Sequence, residues 1–155
     1  MPRIGARDDR RATASCAAFN EIASALVAGT PTPRAITAGL ECARELGCSL
    51  VADAIGRGQH ILPATMAATG IVPLDDEAPG FVLDSLSLAV SAILDARPLP
   101  DVLIDIVRIG NDTDTNAAIA GGLLGARDGA SAIPQHWRTR LQFGPEFVQV
   151  AAALR

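Results

Sequence analysis

A chain of 155 residues and 16.0 kDa is long enough for one domain with a substantial core, and nothing in its composition divides it. Apolar residues make up 49% and charged residues 19%, the latter below the roughly 25% usual for soluble domains, so some apolar surface is expected to meet a partner chain or a second copy. The net charge of -4, with scattered arginines and no lysine, excludes nucleic acid as the main ligand, because phosphate binding needs a basic stripe.

Met1 to Arg11 mixes charges of both signs and has no apolar stretch, so it reads as a loosely ordered tail and not as a secretory signal. Residues 12–155 are expected to form a single helical domain, located in the cytoplasm. Ala, Leu and Ile recur at three- and four-residue steps and period-two alternation is missing, so the predicted class is all-α. A first helix is expected from about Thr13 to Ala28, with Ile22, Ala25 and Leu26 inward and Gly29 as its stop. Thr32 is expected to cap a second helix that has Pro33 at its first position, an apolar stripe of Ile36, Leu40, Ala43 and Leu46, and Gly47 as its end.

Short helices are predicted over Ser49 to Gly58 and Pro63 to Ala68, and a loop over Gly70 to Gly80, where Pro73, Pro79 and Asp75-Asp76-Glu77 cluster. The longest uncharged run, Arg57 to Asp75, is broken by Pro63, Gly70 and Pro73 and falls short of the roughly 20 apolar residues that span a bilayer, so no membrane segment is expected. A helix from about Phe81 to Ala96 stops at Pro98. The next runs from Pro100 to Arg108 with Val102, Leu103, Ile106 and Val107 buried. An Ala/Gly-rich helix follows to about Arg127, and Pro134 and Pro145 each open a further one.

Cys16, Cys42 and Cys48 have no Cys-x-x-Cys pairing and no adjacent His, so reduced core thiols are expected in place of a zinc set. His60 and His136 read as partly exposed helix-end residues, and Trp137 as a core anchor. No nucleophile motif is visible.

The segment that carries chemistry is Gly110-Asn111-Asp112-Thr113-Asp114-Thr115, which runs into Asn116-Ala117-Ala118-Ile119-Ala120-Gly121-Gly122-Leu123-Leu124-Gly125-Ala126. A turn entering a helix can bring Asp112 and Asp114 to one point near the helix N-terminus. Two carboxylates about 5 Å apart at an effective dielectric near 20 repel by about 3 kcal/mol, so a semi-enclosed pair favours a cation. Oxygen donors alone, Asp112, Asp114 and the Thr115 hydroxyl, suit Mg2+, Mn2+ or Ca2+ better than zinc. The competing reading is a helix cap with an Asx-type turn at Thr113. An EF-hand is excluded, since Ala117 and Leu123 stand where its Gly and Glu belong. Gly121, Gly122 and Gly125 are expected to let a neighbouring helix approach closely.

Gly80-Phe81-Val82-Leu83-Asp84-Ser85-Leu86, the Gly110 to Ala126 segment and Ile133-Pro134-x-x-Trp137, in that order, resemble the C-terminal half of the ADP-ribosylglycohydrolase family. The resemblance implies a compact multi-helix orthogonal bundle and two Mg2+ or Mn2+ ions at the base of an ADP-ribose cleft, a site incomplete in this chain. It implies Asp112, Asp114 and Thr115 as metal ligands, with Gly80 and Phe81 lining the pocket for ADP-ribose or an ADP-ribosylated substrate. The family's further metal ligands come from Gly-Asp-x-x-Gly and Thr-Asp-Asp-Thr-like segments. Nothing in Met1 to Ala28 matches either, so the resemblance implies a chain inactive by itself, its site completed by a partner chain carrying the N-terminal half or lost with that half, as in a degenerate fragment. The alternative is a non-catalytic helical or ADP-ribose-binding module that self-associates.

Overall fold

The computed structural model describes residues 10–69 and 82–153. Among them every regular element is helical: α1 (Arg10–Val27), α2 (Thr32–Glu45), α3 (Ser49–Gly58), α4 (Pro63–Thr69), α5 (Val82–Leu94), α6 (Leu99–Arg108), α7 (Thr113–Asp128), α8 (Gln135–Arg138) and α9 (Gly144–Ala153), with a 3-10 turn at Ala130–Ala132. The all-α expectation is met. No helix among the described residues is long and apolar enough to cross a membrane.

The core is built around α5. Its residues from Leu83 to Ile93 are all buried, because the helix is apolar on every side except for one acid and three serines. It packs on α7 and α3 and also touches α1, α2, α4 and α6. Burial of each Leu, Ile or Val along it contributes about 2 kcal/mol. The buried hydroxyls are paired: Ser87 Oγ donates to the carbonyls of Ala54 and Leu83 (2.8 and 2.9 Å) and Ser91 Oγ to that of Leu88 (2.7 Å). Their desolvation is therefore offset.

The outer helices bury one stripe each. In α1 the inward positions are Ala14, Ser15, Ala18, Ile22 and Leu26, stepping by about one helical turn. This helix begins at Arg10, inside the stretch expected as a tail, and Arg10 Nη2 reaches the Leu46 carbonyl at 3.3 Å. It ends as expected at Gly29, which has φ +81. In α2 the first helical residue is Thr32 itself. Pro31 occupies the cap position, and no side chain caps the helix. The Pro31 carbonyl accepts from the amides of Arg34 and Ala35, so the proline-rich entry performs the task expected of the Thr32 hydroxyl.

Two glycines set how closely the layers pack. A Cβ on Gly39 would lie 2.6 Å from Ile22 Cγ1, and one on Gly58 would lie 2.6 Å from the Ser87 carbonyl oxygen and 2.7 Å from Val90 Cβ. The expected close approach through the glycines of α7 is weaker. A Cβ on Gly121 or Gly125 would meet ordinary contact or open space, and one on Gly122 would meet Phe19 Cζ at 3.2 Å.

Arginines tie the far ends of the helices together. Arg97 pairs with Asp95 (2.7 Å) and Asp105 (2.8 Å). Arg127 Nη1 donates to the carbonyls of Ala92, Ile93 and Asp95, closing the C-terminal end of α5. Val107 points outward, contrary to expectation, whereas Val102 and Ile106 are buried as expected. The inward face of α6 is narrow, a Val102–Ile106 stripe joined by Asp105, which Arg97 neutralises.

Candidate functional site

After α6 the chain turns through two left-handed residues, Gly110 (φ +90) and Asn111 (φ +58). Glycine has no Cβ to clash there, and asparagine is among the few residues that tolerate this region. The turn delivers Asp112 to the position before α7, where its carbonyl accepts from the Asn116 amide at 3.0 Å, and the Thr113 amide donates to the Asn111 carbonyl at 2.9 Å.

The Asp112 side chain makes no capping hydrogen bond. Asp112 and Thr113 are half-buried, while Asp114 and Thr115 are exposed. The two carboxyl groups are neighbours. A hydrogen bond between the two carboxyl groups first, and then hydrogen bonds from the amides of Thr115 and of Asp114 itself, hold the Asp114 carboxyl below the usual carboxylate range. The open N-terminal end of α7 adds to this preference for negative charge. Asp112, Asp114 and Thr115 thus sit on one loop-to-helix junction. Gly80 and Phe81 lie outside the described residues.

The donor chemistry fits a hard divalent ion: two carboxylates and a hydroxyl, with no thiol or imidazole. It is also incomplete, since no group of three or more His, Cys, Asp or Glu side chains converges among the described residues. Mg2+ in near-octahedral coordination takes about six oxygens, so these residues alone would leave it mostly hydrated.

Residues that the sequence pattern did not single out connect this junction to the core. Asn116 is buried and its Oδ1 accepts from Ser85 Oγ at 2.7 Å. One residue before Ser85, Asp84 pairs with Arg57 of α3 at 2.7 Å. A polar residue inside an otherwise apolar helical stripe was the available signal for all three. One turn further along α7, Ile119 joins Ser15, Phe19, Val82 and Leu86 around a cavity of about 190 Å³. Its walls are mainly apolar and suit an uncharged group better than a phosphate.

The other candidates stay apart from this junction. His60 and His136 are exposed, as expected, and Trp137 is half-buried against the core. The three cysteines are free; Cys48 packs against the core as expected, whereas Cys16 does not. Cys16 is exposed because it falls off the buried stripe of α1, and Cys42 and Cys48 are half-buried. Burial, then Glu21 and Glu45, push the Cys42 thiol up, which opposes a nucleophilic thiolate.

The sequence model of the family described as ADP-ribosylglycohydrolase matches residues 6–155. The chain is 29% identical over 75 residues to the ADP-ribosylarginine hydrolase Tri1 of Pseudomonas putida (strain GB-1), covering 48% of this chain and 20% of that protein. It is 34% identical over 62 residues to the ADP-ribosylarginine hydrolase Tri1 of Serratia proteamaculans (strain 568), covering 40% and 17%. The matched stretches thus span about a fifth of the relatives' length. No solved structure gives a significant match.

Proposed function

The chain belongs to the ADP-ribosylglycohydrolase family, and on that premise we propose that it contributes half of a divalent-metal site for hydrolysing an N- or O-glycosidic bond between ADP-ribose and its acceptor. The observation that carries this reading is the Asp112–Asp114 pair at the mouth of α7. These carboxyls are neighbours, and the Asp112 side chain is not spent on a cap. Asp112, Asp114 and Thr115 would hold Mg2+ or Mn2+, in a mononuclear or binuclear site, and Gly80 and Phe81 would line the ADP-ribose pocket. The bound ion would orient ribose hydroxyls and stabilise developing charge. Two carboxylates and one hydroxyl fall short of the coordination a hard ion takes, and a partner polypeptide carrying the N-terminal half would supply the remaining oxygen ligands.

Within the chain, the left-handed Gly110–Asn111 turn leads into α7, whose N-terminal end favours negative charge and carries Asp112, Asp114 and Thr115 on one loop-to-helix junction. The experiment is thermal unfolding with Mn2+ and ADP-ribose, alone and together, before and after addition of a polypeptide carrying Gly-Asp-x-x-Gly and Thr-Asp-Asp-Thr segments. Metal-linked stabilisation that grows with that polypeptide and is lost in Asp112→Ala supports the reading. ADP-ribose binding that needs no metal and survives Asp112→Ala removes it.

One observation favours a second reading, a self-associating module without catalysis. In α9 and the residue before it, Phe143, Phe147, Val148 and Val150 are all exposed. Sedimentation of the chain and of Phe147→Glu separates the two readings. A dimer abolished by Phe147→Glu, together with no metal response, favours the module.

A further inference from the structure

Asn116 is held from two directions. Its backbone amide closes the first turn of α7 on the Asp112 carbonyl at 3.0 Å, and its side-chain Oδ1 accepts from Ser85 Oγ on α5 at 2.7 Å. The contact is enclosed, with Ser85 1% and Asn116 5% exposed. Ser85 stands on a turn that is itself anchored, since Asp84 pairs with Arg57 and Ser87 Oγ donates to the Ala54 carbonyl, both partners lying on α3.

Apolar packing alone would join α5 to α7, and a shape-matched apolar pair at these two positions would cost the fold little. A buried hydrogen bond does what apolar contact does not. It is satisfied at one rotation of α7 about its axis and broken at others, and inside a low-dielectric core that difference is large. The rotation matters here because Thr115 directly precedes Asn116 and Asp114 lies two residues before it.

We propose that Asn116, acting through Ser85, is a positioning residue for the carboxylate junction, fixing the first turn of α7 so that Asp112, Asp114 and Thr115 present their oxygens to a single divalent cation. This rests on the cation reading above, and it makes α5 the element against which the donor set is aligned. Groups hydrogen-bonded directly to metal ligands commonly change affinity by an order of magnitude or more when removed, and Asn116 acts one step further out, through the backbone of the first turn of α7.

The test is a titration of the isotopically labelled chain with Mn2+, following paramagnetic broadening of the backbone amide signals of residues 111–117, which detects weak binding. In the wild type these signals should broaden selectively, and in Asp114→Asn they should not. Ser85→Ala and Asn116→Ala should each raise the Mn2+ concentration for half-broadening about tenfold. The double variant should be no worse than either single one, as for two members of one unit. Should Asn116→Ala fail to fold, Ser85→Cys carries the test, being close in size with a weak donor, and its midpoint should also rise. A lowered melting temperature with an unchanged Mn2+ midpoint in Ser85→Ala or Ser85→Cys would reduce the contact to a fold-stabilising bond and overturn the proposal. Absence of selective broadening in the wild type would instead remove the cation reading and the positioning role with it.

Discussion

Arg57 Nη1 donates to Asp84 Oδ1 at 2.7 Å, joining the last turn of α3 to the first turn of α5. The carboxylate is almost wholly enclosed and the guanidinium about one-fifth exposed. Removing one member of such a pair leaves the other charge desolvated. Asp84→Ala should therefore destabilise the chain by about 2–3 kcal/mol, somewhat below the cost for a fully buried pair. Asp84→Asn, which keeps an acceptor, should cost less. Urea unfolding measures both, and equal midpoints for Asp84→Ala and the wild type would remove the pair from the list of stabilising contacts.

The glycines of α3 behave oppositely under one substitution. Gly56→Ala adds a methyl group into open space within a helix and should stabilise by about 0.5–1 kcal/mol. Gly58→Ala drives a Cβ into the Ser87 carbonyl and Val90, and should destabilise by about 1–3 kcal/mol as α3 is pushed off α5. Thermal melts of the two variants side by side decide it. A Gly58→Ala melting temperature at or above the wild type would mean that the helices separate at little cost.

Arg127 closes the end of α5 through three main-chain carbonyls, the shortest at 2.7 Å from Asp95 O. Arg127→Met keeps much of the aliphatic stem and removes the donors. The expected loss is about 2 kcal/mol in chemical denaturation, with faster amide exchange around residues 92–95 as its local signature.

Acid should weaken the α5–α6 corner. The Arg97 guanidinium holds the Asp95 carboxyl below its ordinary value against the opposing effect of burial. A carboxyl depressed in the folded state contributes stability above its unfolded value of about 4, and that contribution disappears as pH falls through the lower folded value. The melting temperature should thus drop on acidification from about pH 5 to about pH 2, and less steeply in Asp95→Asn. Arg97 is substantially exposed, so solvent limits the effect. Identical pH profiles for the two proteins would assign the acid sensitivity elsewhere.

At the candidate site, Asp112→Ala should leave metal-free stability within about 0.5 kcal/mol of the wild type, because that side chain makes no capping bond. Under the proposed function the same variant should lose any stabilisation by Mn2+. A metal-free loss of about 1 kcal/mol or more would instead indicate a cap.

Local signals in the chain were enough to place most helices. Pro63, Pro100 and Pro134 mark starts to within a residue or so, Pro98, read as a stop, also occupies the cap position of α6, and Gly29 and Gly47, both at positive φ, mark stops. These residues act on their own backbone within one turn, so no knowledge of distant neighbours is needed. Ser49–Gly58 could be read to the residue for that reason. The Asp112–Thr115 junction was legible in the same way, as a carboxylate-rich turn feeding a small-residue helix. Its metal role was suggested by resemblance and stands as a proposal.

By itself the sequence determined an all-helical chain, the limits of most of its helices, and a family relationship carried by the segment from Gly110 to Ala126. The tertiary structure alone decided that Asn116 meets Ser85, that Asp84 meets Arg57, that Gly39 and Gly58 and not the glycines of α7 govern close packing, and that Val107 faces outward. The physical reason is range. Helical periodicity records which residues share a face, whereas a hydrogen bond between positions 31 apart depends on how two finished helices cross, and no stretch of local pattern encodes that crossing.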